Sequence, residues 1–489
     1  MKHIFVGQPK GLYRLFFTEL WERFGFYTVQ TILVLYMSQG LHYGDDRAYL
    51  LYGAFSSMLY LTPVLGGYLA DRYLGFRRTI IWGALLFMAG YGIMTIPGEK
   101  FLFLGMAIVI VGNGLFKPNV SSIVGDLYAP GDPRRDGGFT LFYMGINIGG
   151  LLPPLFVGAL VAAYSWGSGF FLAALGMVAA LCIFLPAKKT LQAAEAGQMP
   201  AHSPLHGGLA YRTKFYSLLS AGIIASILVL QLLFIHPDKA NIILIIASVL
   251  VIGYVLIAMF KEPLAQRHKL LACLILIVVS VGFWAIYVQT FTSMMLFASR
   301  NMSKEFLGFT INAEFTQFFN PFFIILLSPL LSNLWVKLEE KGRNPNIPIK
   351  FSIAILFMGC GYLLLGAGTR WFSTDGITSP WWLVATYLSQ TLGELFISPI
   401  GLSMVTRLAP RHLTGLMMGV WFLMSAAAFA IGGSLATIAD VPKGTPSLVS
   451  LPIYTHAFFI YGGLSLVLAV VSFMLAPYLQ RLIQPRESA

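Results

Sequence analysis

Of the 489 residues, 57% are hydrophobic and only 11% charged, with a mean hydropathy of +0.76, whereas soluble domains carry about a quarter charged residues. The formal net charge of +12 sits in short loops between long apolar runs rather than on one patch, which argues against nucleic acid as a partner. The runs reach the roughly 20 residues a helix needs to cross hydrocarbon and lack the alternation of a transmembrane barrel, so the chain reads as an all-α integral membrane protein. Cys182, Cys273 and Cys360 lie in or at the ends of apolar runs without pairable spacing and argue against a metal site. A short basic head (Lys2, Lys10, Arg14) precedes a first run too long for a cleavable leader and without a small-residue cleavage site.

Fourteen spans are predicted, near residues 14–38, 49–70, 79–97, 101–124, 138–163, 168–186, 215–235, 240–260, 270–297, 312–336, 351–367, 380–406, 414–437 and 454–478. With the amino terminus inside, 23 of the 32 Lys and Arg residues fall in inward loops and tails and seven outside, leaving Arg23 and Lys117 in the membrane. That asymmetry predicts both termini to be cytoplasmic. The polar stretch around 188–213 reads as a cytoplasmic linker after a first bundle, residues 1–187. The next two spans, within 214–268, are so apolar that they read as an inserted lipid-facing hairpin, and residues 269–489 form a second six-span bundle. Two parallel six-span repeats predict a substrate site at their interface.

The first span holds Glu19, Glu22 and Arg23 inside an apolar run. Charges at membrane depth are costly and mark a site by default; a structural salt bridge between helices is the alternative. Glu19, Arg23 and Tyr27 are spaced four residues apart and share one helix face. With the hairpin set aside and the other spans numbered 1 to 12, the unusual residues recur in matching positions. Spans 1, 2, 4 and 5 carry the span-1 cluster, Tyr60, Lys117 and Asn147; spans 7, 8, 10 and 11 carry Trp284 with Gln289, Gln317 with Asn320, Glu394 with Ser398, and Trp421. Four cavity-lining helices per half are therefore expected, with basic groups in one half and a lone carboxylate in the other. The loop from Gly66 to Arg78 offers Asp71, Arg72, Arg77 and Arg78 as groups that pair across the cytoplasmic mouth and break as the halves rock. Both Lys117 and Glu394 lie close to a proline, Pro118 and Pro399, where a helix is loosened.

Glu19-Leu20-Trp21-Glu22-Arg23-Phe24 resembles the E-x-x-E-R-F signature of the proton-dependent oligopeptide transporter family of the major facilitator superfamily. Gly66 to Arg78, Gly112 to Asn119, Phe142 to Gly149, Gly393-Glu394-Leu395 with Ser398-Pro399, and Met418 to Phe422 resemble further motifs, so the likeness covers nearly the whole chain. The inserted hairpin is similar to that of bacterial members. The resemblance implies a major facilitator fold and a proton-coupled symporter that imports di- and tripeptides by alternating access. It implies the bacterial cytoplasmic membrane as location, a monomer, and no cofactor beyond the coupling proton. Arg23 and Lys117 would meet the peptide carboxylate, Glu394 with Asn147 and Asn320 the amino terminus, and Tyr27, Tyr60, Trp284 and Trp421 the side chains, with Gln289 and Ser398 beside them. Glu22, with Glu19 and Arg23, would couple the proton. One departure stands out: Val288 occupies a position, four residues after Trp284, where the family often has a glutamate. More of the coupling then falls on Glu19 and Glu22.

The residues support the same reading by themselves, because a zwitterion calls for cations on one wall and an anion on the other. A symporter of a single amino acid or a non-peptide anion is the alternative. A membrane enzyme would need a nucleophile-base or metal constellation, and none is visible in the spans.

Overall fold

In hydrocarbon the backbone has no partner but itself, so uninterrupted apolar runs must close their hydrogen bonds within helices. The computed structural model describes residues 7–129, 132, 134–188, 190–191, 208–410 and 413–484. Its helices are α1 (Lys10–Leu35), α2 (Asp45–Leu61), α3 (Pro63–Leu69), α4 (Phe76–Met94), α5 (Glu99–Asp126), α6 (Arg135–Leu151), α7 (Val157–Ala163), α8 (Trp166–Phe184) and α9 (Leu209–Ile235). There follow α10 (Pro237–Met259), α11 (Leu264–Tyr287), α12 (Ser293–Asn301), α13 (Phe319–Glu340), α14 (Ile347–Trp371), α15 (Pro380–Leu408), α16 (Thr414–Ala436) and α17 (Ser447–Ile483). Two antiparallel hairpins of two-residue strands interrupt them: β1 (Glu305–Phe306) with β2 (Phe309–Thr310), and β3 (Ser373–Thr374) with β4 (Ile377–Thr378). Counting α2 with α3, α6 with α7 and α11 with α12 as single crossings, the described residues make the fourteen spans expected, each within a few residues. Eleven are long and apolar enough to qualify on composition alone. The other three, α1, α4 and α15, are more polar: they carry Glu19, Glu22 and Arg23, the Arg77-Arg78 pair, and Glu394. Lys2, Lys189, His202, His206, Arg411, Arg486 and most of the expected linker lie outside the described residues.

By packing, the chain forms two units: one comprises the chain up to Tyr36 with Met58–His236, the other Met37–Ser57 with everything from Pro237 on. In the first, α1 packs on α6 and α8, α4 on α5 and α8, and α3 on α5. In the second, α11 packs on α16 and α17, α14 on α15 and α17, and α13 on α15. These are the same pairings in repeat-equivalent helices. Of α9, only Leu230 and Phe234 are buried, Phe234 against Phe103 of α5 at 5.8 Å. The α10 helix lies on α16 by one face. Both expose most of their apolar surface, as helices bathed in lipid do.

The first half of α2, up to Ser57, belongs to the second unit, which the sequence does not announce. Its Gly53 lies so close to Gly433 of α16 that a Cβ on either would come within about 3 Å of the other's Cα, at 3.0 and 2.8 Å. Beside this contact Arg300, on α12, forms a two-pronged ion pair with the buried Asp45 and donates to Tyr454 Oη at 2.8 Å and Ser38 Oγ at 3.2 Å. Leaving a buried charge without its partner is strongly unfavourable, so Asp45→Asn should destabilise the protein by about 3 kcal/mol. A drop of several degrees in the melting temperature of the detergent-solubilised variant, partly recovered by adding Arg300→Gln, is the expected result. Unchanged melting in Asp45→Asn would show that the pair does not hold this end of the unit.

Candidate functional site

In the first unit the charged cluster is built on α1, and its neighbours come close because they lack side chains. Where α6 crosses α1, a Cβ on Gly149 would run into the Leu20 carbonyl and lie 2.9 Å from the Arg23 Cβ. The Phe142 to Gly149 motif is thus a close-approach surface that seats Arg23. Glu19, Glu22 and Arg23 are all buried. Arg23 grips Glu22 with both prongs, Nε to Oε2 and Nη2 to Oε1, each at 2.5 Å, and its Nε lies 3.7 Å from Glu19 Oε1. Its guanidinium also lies over the Phe26 ring, 4.2 Å from the centroid, so Phe26 serves as a cation–π platform. Lys117, 30% exposed, donates to Glu19 Oε1 at 2.5 Å. Glu22 thus holds Arg23 alone, whereas Glu19 Oε1 holds Lys117 closely and Arg23 at longer range. Glu19 Oε2 is buried and has no hydrogen-bond partner among the described residues.

Lys117 owes its place to the loosened α5. Pro118 cannot donate to the Gly114 carbonyl, and it is against this carbonyl that Gly66 of α3 packs so tightly that no Cβ would fit. Asn119 Nδ2 bonds the Leu115 carbonyl at 2.6 Å, Ser122 Oγ that of Pro118 at 3.1 Å, and Asn113 Nδ2 that of Leu59 at 2.6 Å. The Asn113 amide thereby serves the Leu59 carbonyl, which Pro63 cannot bond, while Asn119 and Ser122 add side-chain bonds along the loosened turns. Tyr27 is half-buried, its ring edge-to-face with Phe26, and Tyr60 is 37% exposed. Asn147 is buried, with its amide on the carbonyl of Tyr143 one turn back. Asp71 stands exposed without an ion pair among the described residues. Arg72 instead lies over Tyr68, and Arg77 donates to the Leu185 carbonyl at 2.8 Å, tying α4 to the end of α8. Arg78 is half-buried in the same turn.

In the second unit Glu394, on α15, accepts from Asn320 Nδ2 at 2.8 Å, and Asn320 also reaches Thr391 Oγ1 at 3.2 Å. The Tyr287 hydroxyl is a further donor to Glu394. No cation is paired with this carboxylate among the described residues. Trp284 packs edge-to-face on Tyr287 at 5.3 Å; Trp421 is buried against Gly401 of α15, and Ser398 is half-buried one turn after Glu394. Tyr287 and Thr391 were missed in the sequence, although each lies three residues from a residue that was picked, Trp284 and Glu394, and so shares its helix face.

Gln289 bonds the backbone around a break in its helix. The helix breaks after Tyr287, and Val288–Thr290 forms a tighter turn before α12 begins. Broken helices at membrane depth leave backbone groups that must be satisfied internally. Gln289, fully buried, donates to the carbonyls of Ala285 at 3.2 Å and Gly432 at 2.8 Å and accepts from Thr292 and Ser293. Gln317 likewise serves the Thr290 carbonyl at 2.7 Å. With its amide fully engaged, Gln289 belongs to the break rather than to a binding wall. Val288 is buried against Gly432, where a Cβ would come within 2.6 Å of its own, so its side chain is packed helix to helix.

Residues 77–455 match the family model PTR2, described as the POT family. "Dipeptide and tripeptide permease B" of Edwardsiella piscicida is 37% identical over 481 residues, 98% of this chain and 96% of the relative. Among solved structures, that of "peptide transporter POT" in complex with sulfate is 36% identical, with a TM-score of 0.84, covering 98% of this chain and 96% of the other. A mutant of the same name in complex with alafosfalin is 36% identical, with a TM-score of 0.85, over 98% and 97%. The α1 signature, the matched pairings of the two units and these likenesses over almost the full length lead to one conclusion: this chain is a multi-pass membrane protein of the POT family.

Proposed function

We propose that the protein is a proton-coupled symporter that imports di- and tripeptides across the bacterial cytoplasmic membrane by alternating access, with both termini cytoplasmic. The observation that carries this is the distribution of charge. Two carboxylate–cation pairs stand in the first unit, and one carboxylate held only by neutral donors stands in the second. The cations recognise the peptide carboxylate, and Glu394, oriented by Asn320 and Tyr287, recognises the amine. Tyr27, Tyr60, Trp284 and Trp421 supply broad apolar faces with few fixed polar demands, which suits side chains of every kind. Because Arg23 and Lys117 are already engaged, a proton on Glu22 or Glu19 frees a cation for the substrate. Proton and peptide occupancy are then linked by one coupling free energy. Glu19 Oε2, without a hydrogen-bond partner among the described residues, is an oxygen with room for that proton.

The test is uptake of labelled alanyl-alanine by proteoliposomes with and without an inward proton gradient, in competition with alanine. Gradient-dependent uptake that alanine does not compete is expected; competition by alanine would favour an amino acid as substrate. In the same assay Lys117→Ala should weaken binding of free-acid peptide by about tenfold, the worth of a charge-assisted contact of roughly 1.4 kcal/mol, and leave an amidated peptide nearly unaffected. Equal loss for the two peptides would remove Lys117 from carboxylate recognition.

A further inference from the structure

The second unit contains a cavity of about 420 Å³ that neither the peptide nor the proton chemistry uses, between the end of α14 and the first third of α17. It opens at the end that the loop charges assign to the outside. Deeper in, the helices are tight: a Cβ on Gly366 would touch the Phe459 ring at 3.2 Å and one on Gly462 would lie 2.7 Å from Leu363. At the mouth, Gly376 abuts the backbone of Ser447 and Leu448. These antiparallel contacts fix the depth of every lining residue. Phe459 forms the floor; Arg370, one turn beyond Gly366, stands level with His456; Asp375 stands with Leu448 at the rim. From Phe459 to Leu448 the helix rises about 16 Å.

The rim is a built structure. Asp375-Gly376 closes β3 on β4 with φ values of 50° and 78°, the left-handed pair of a tight hairpin turn that exposes Asp375 at its tip. The buried Asn301 donates to the carbonyls of Gly376 and Ser447, both at 2.8 Å, and accepts from Ser450 Oγ at 2.9 Å, locking hairpin to helix. Arg370, Asp375 and His456 have no hydrogen-bond or ion-pair partner among the described residues. Trp371, Phe372, Trp381 and Leu448 are strongly exposed beside them, the signature of an aromatic belt at headgroup depth.

From the rim inward the cavity thus presents an anion, then a cation with an imidazole, then an aromatic floor continuous with lipid-facing surface. We infer that it holds the headgroup of a zwitterionic phospholipid with a primary amine, its ammonium on Asp375, its phosphate on Arg370 and His456, and the root of its acyl chains over Phe459. In an outer leaflet the amine of such a lipid lies outermost, the phosphate beneath it and the chains below, the same order. A phosphatidylglycerol lacks the cation for Asp375, and a choline headgroup has no N–H to donate to it.

Protein purified in detergent and stripped of lipid is offered phosphatidylethanolamine, phosphatidylglycerol and phosphatidylcholine of matched chains, and bound lipid is counted by native mass spectrometry. Phosphatidylethanolamine should be retained about fivefold better than the others. Asp375→Asn should abolish that preference, Arg370→Gln should lower retention of all three, and Arg370→Lys should restore it. The melting temperatures of these variants in lipid-free detergent should equal that of the parent. Equal retention of the three lipids by the parent protein, or an unchanged pattern in Arg370→Gln, would overturn the assignment. So would displacement of the lipid by soluble glycerophosphoethanolamine at equal concentration, which would give the cavity to a soluble zwitterion.

Discussion

Proteoliposomes containing Glu22→Gln should lose concentrative, gradient-driven uptake of alanyl-alanine while retaining peptide binding and counterflow exchange. Glu22 is the carboxylate that Arg23 grips with two 2.5 Å hydrogen bonds, and both side chains are buried. In that setting the pair is held by charge as well as by geometry, and a neutral amide keeps one acceptor but not the charge. Arg23 then keeps only its looser contact with Glu19 Oε1 at 3.7 Å and can meet a peptide carboxylate without a proton arriving on Glu22. Binding survives, but the proton no longer decides when it happens, and a ligand without differential effect on two states shifts nothing. The accumulation ratio should fall to about one, the value for facilitated equilibration, because coupling is the only source of concentrative work. Counterflow needs no net proton movement and should persist. Gradient-dependent accumulation in purified Glu22→Gln protein would transfer the coupling to Glu19, whose Oε2 has no hydrogen-bond partner among the described residues and whose Oε1 holds Lys117 at 2.5 Å.

The second large effect belongs to Glu394. Its carboxylate is the acceptor of a cluster made by Asn320, with Thr391 behind it, and Tyr287, in which every partner is neutral. Such donors orient the carboxylate without cancelling its charge, which leaves the charge for an ammonium. Glu394→Gln preserves shape and most hydrogen bonds and removes only the charge, so expression and melting temperature should stay near those of the parent. Truncating one side of a buried charge pair typically costs on the order of 2–5 kcal/mol, and peptides with a free amino terminus should lose affinity by a comparable amount. An N-acetylated dipeptide, which carries no ammonium, should bind parent and variant alike. Uptake of alanyl-alanine by Glu394→Gln at the parental rate would end the amine assignment.

Much of this was legible in the chain because hydrocarbon imposes one rule on the backbone and a high cost on buried charge. The first makes fourteen apolar runs into fourteen spans with boundaries readable to a few residues. The second makes Glu19, Glu22, Arg23, Lys117 and Glu394 conspicuous, and the recurrence of charged, polar and aromatic residues in matching spans marks the two repeats. Composition and spacing do not, however, say who partners whom. That Arg23 takes Glu22 while Lys117 takes Glu19 depends on how closely α6 and α5 approach α1, set by glycines such as Gly149 and by the proline in α5. Gln289 and Asn320 look alike as polar residues in apolar spans. Only the break after Tyr287, which strands backbone carbonyls, assigns the first to structure, and only the approach of α13 to α15 brings the second to Glu394. Arg300, just past the end of a predicted span, becomes the partner of Asp45 because the first half of α2 packs with the second unit through Gly53 and Gly433. The sequence by itself determined the spans, the repeat and the identity of the buried charges, because each follows from local transfer free energies summed along the chain. The pairing of those charges and the satisfaction of broken helices were decided only by tertiary structure, because each depends on distances between helices far apart in sequence.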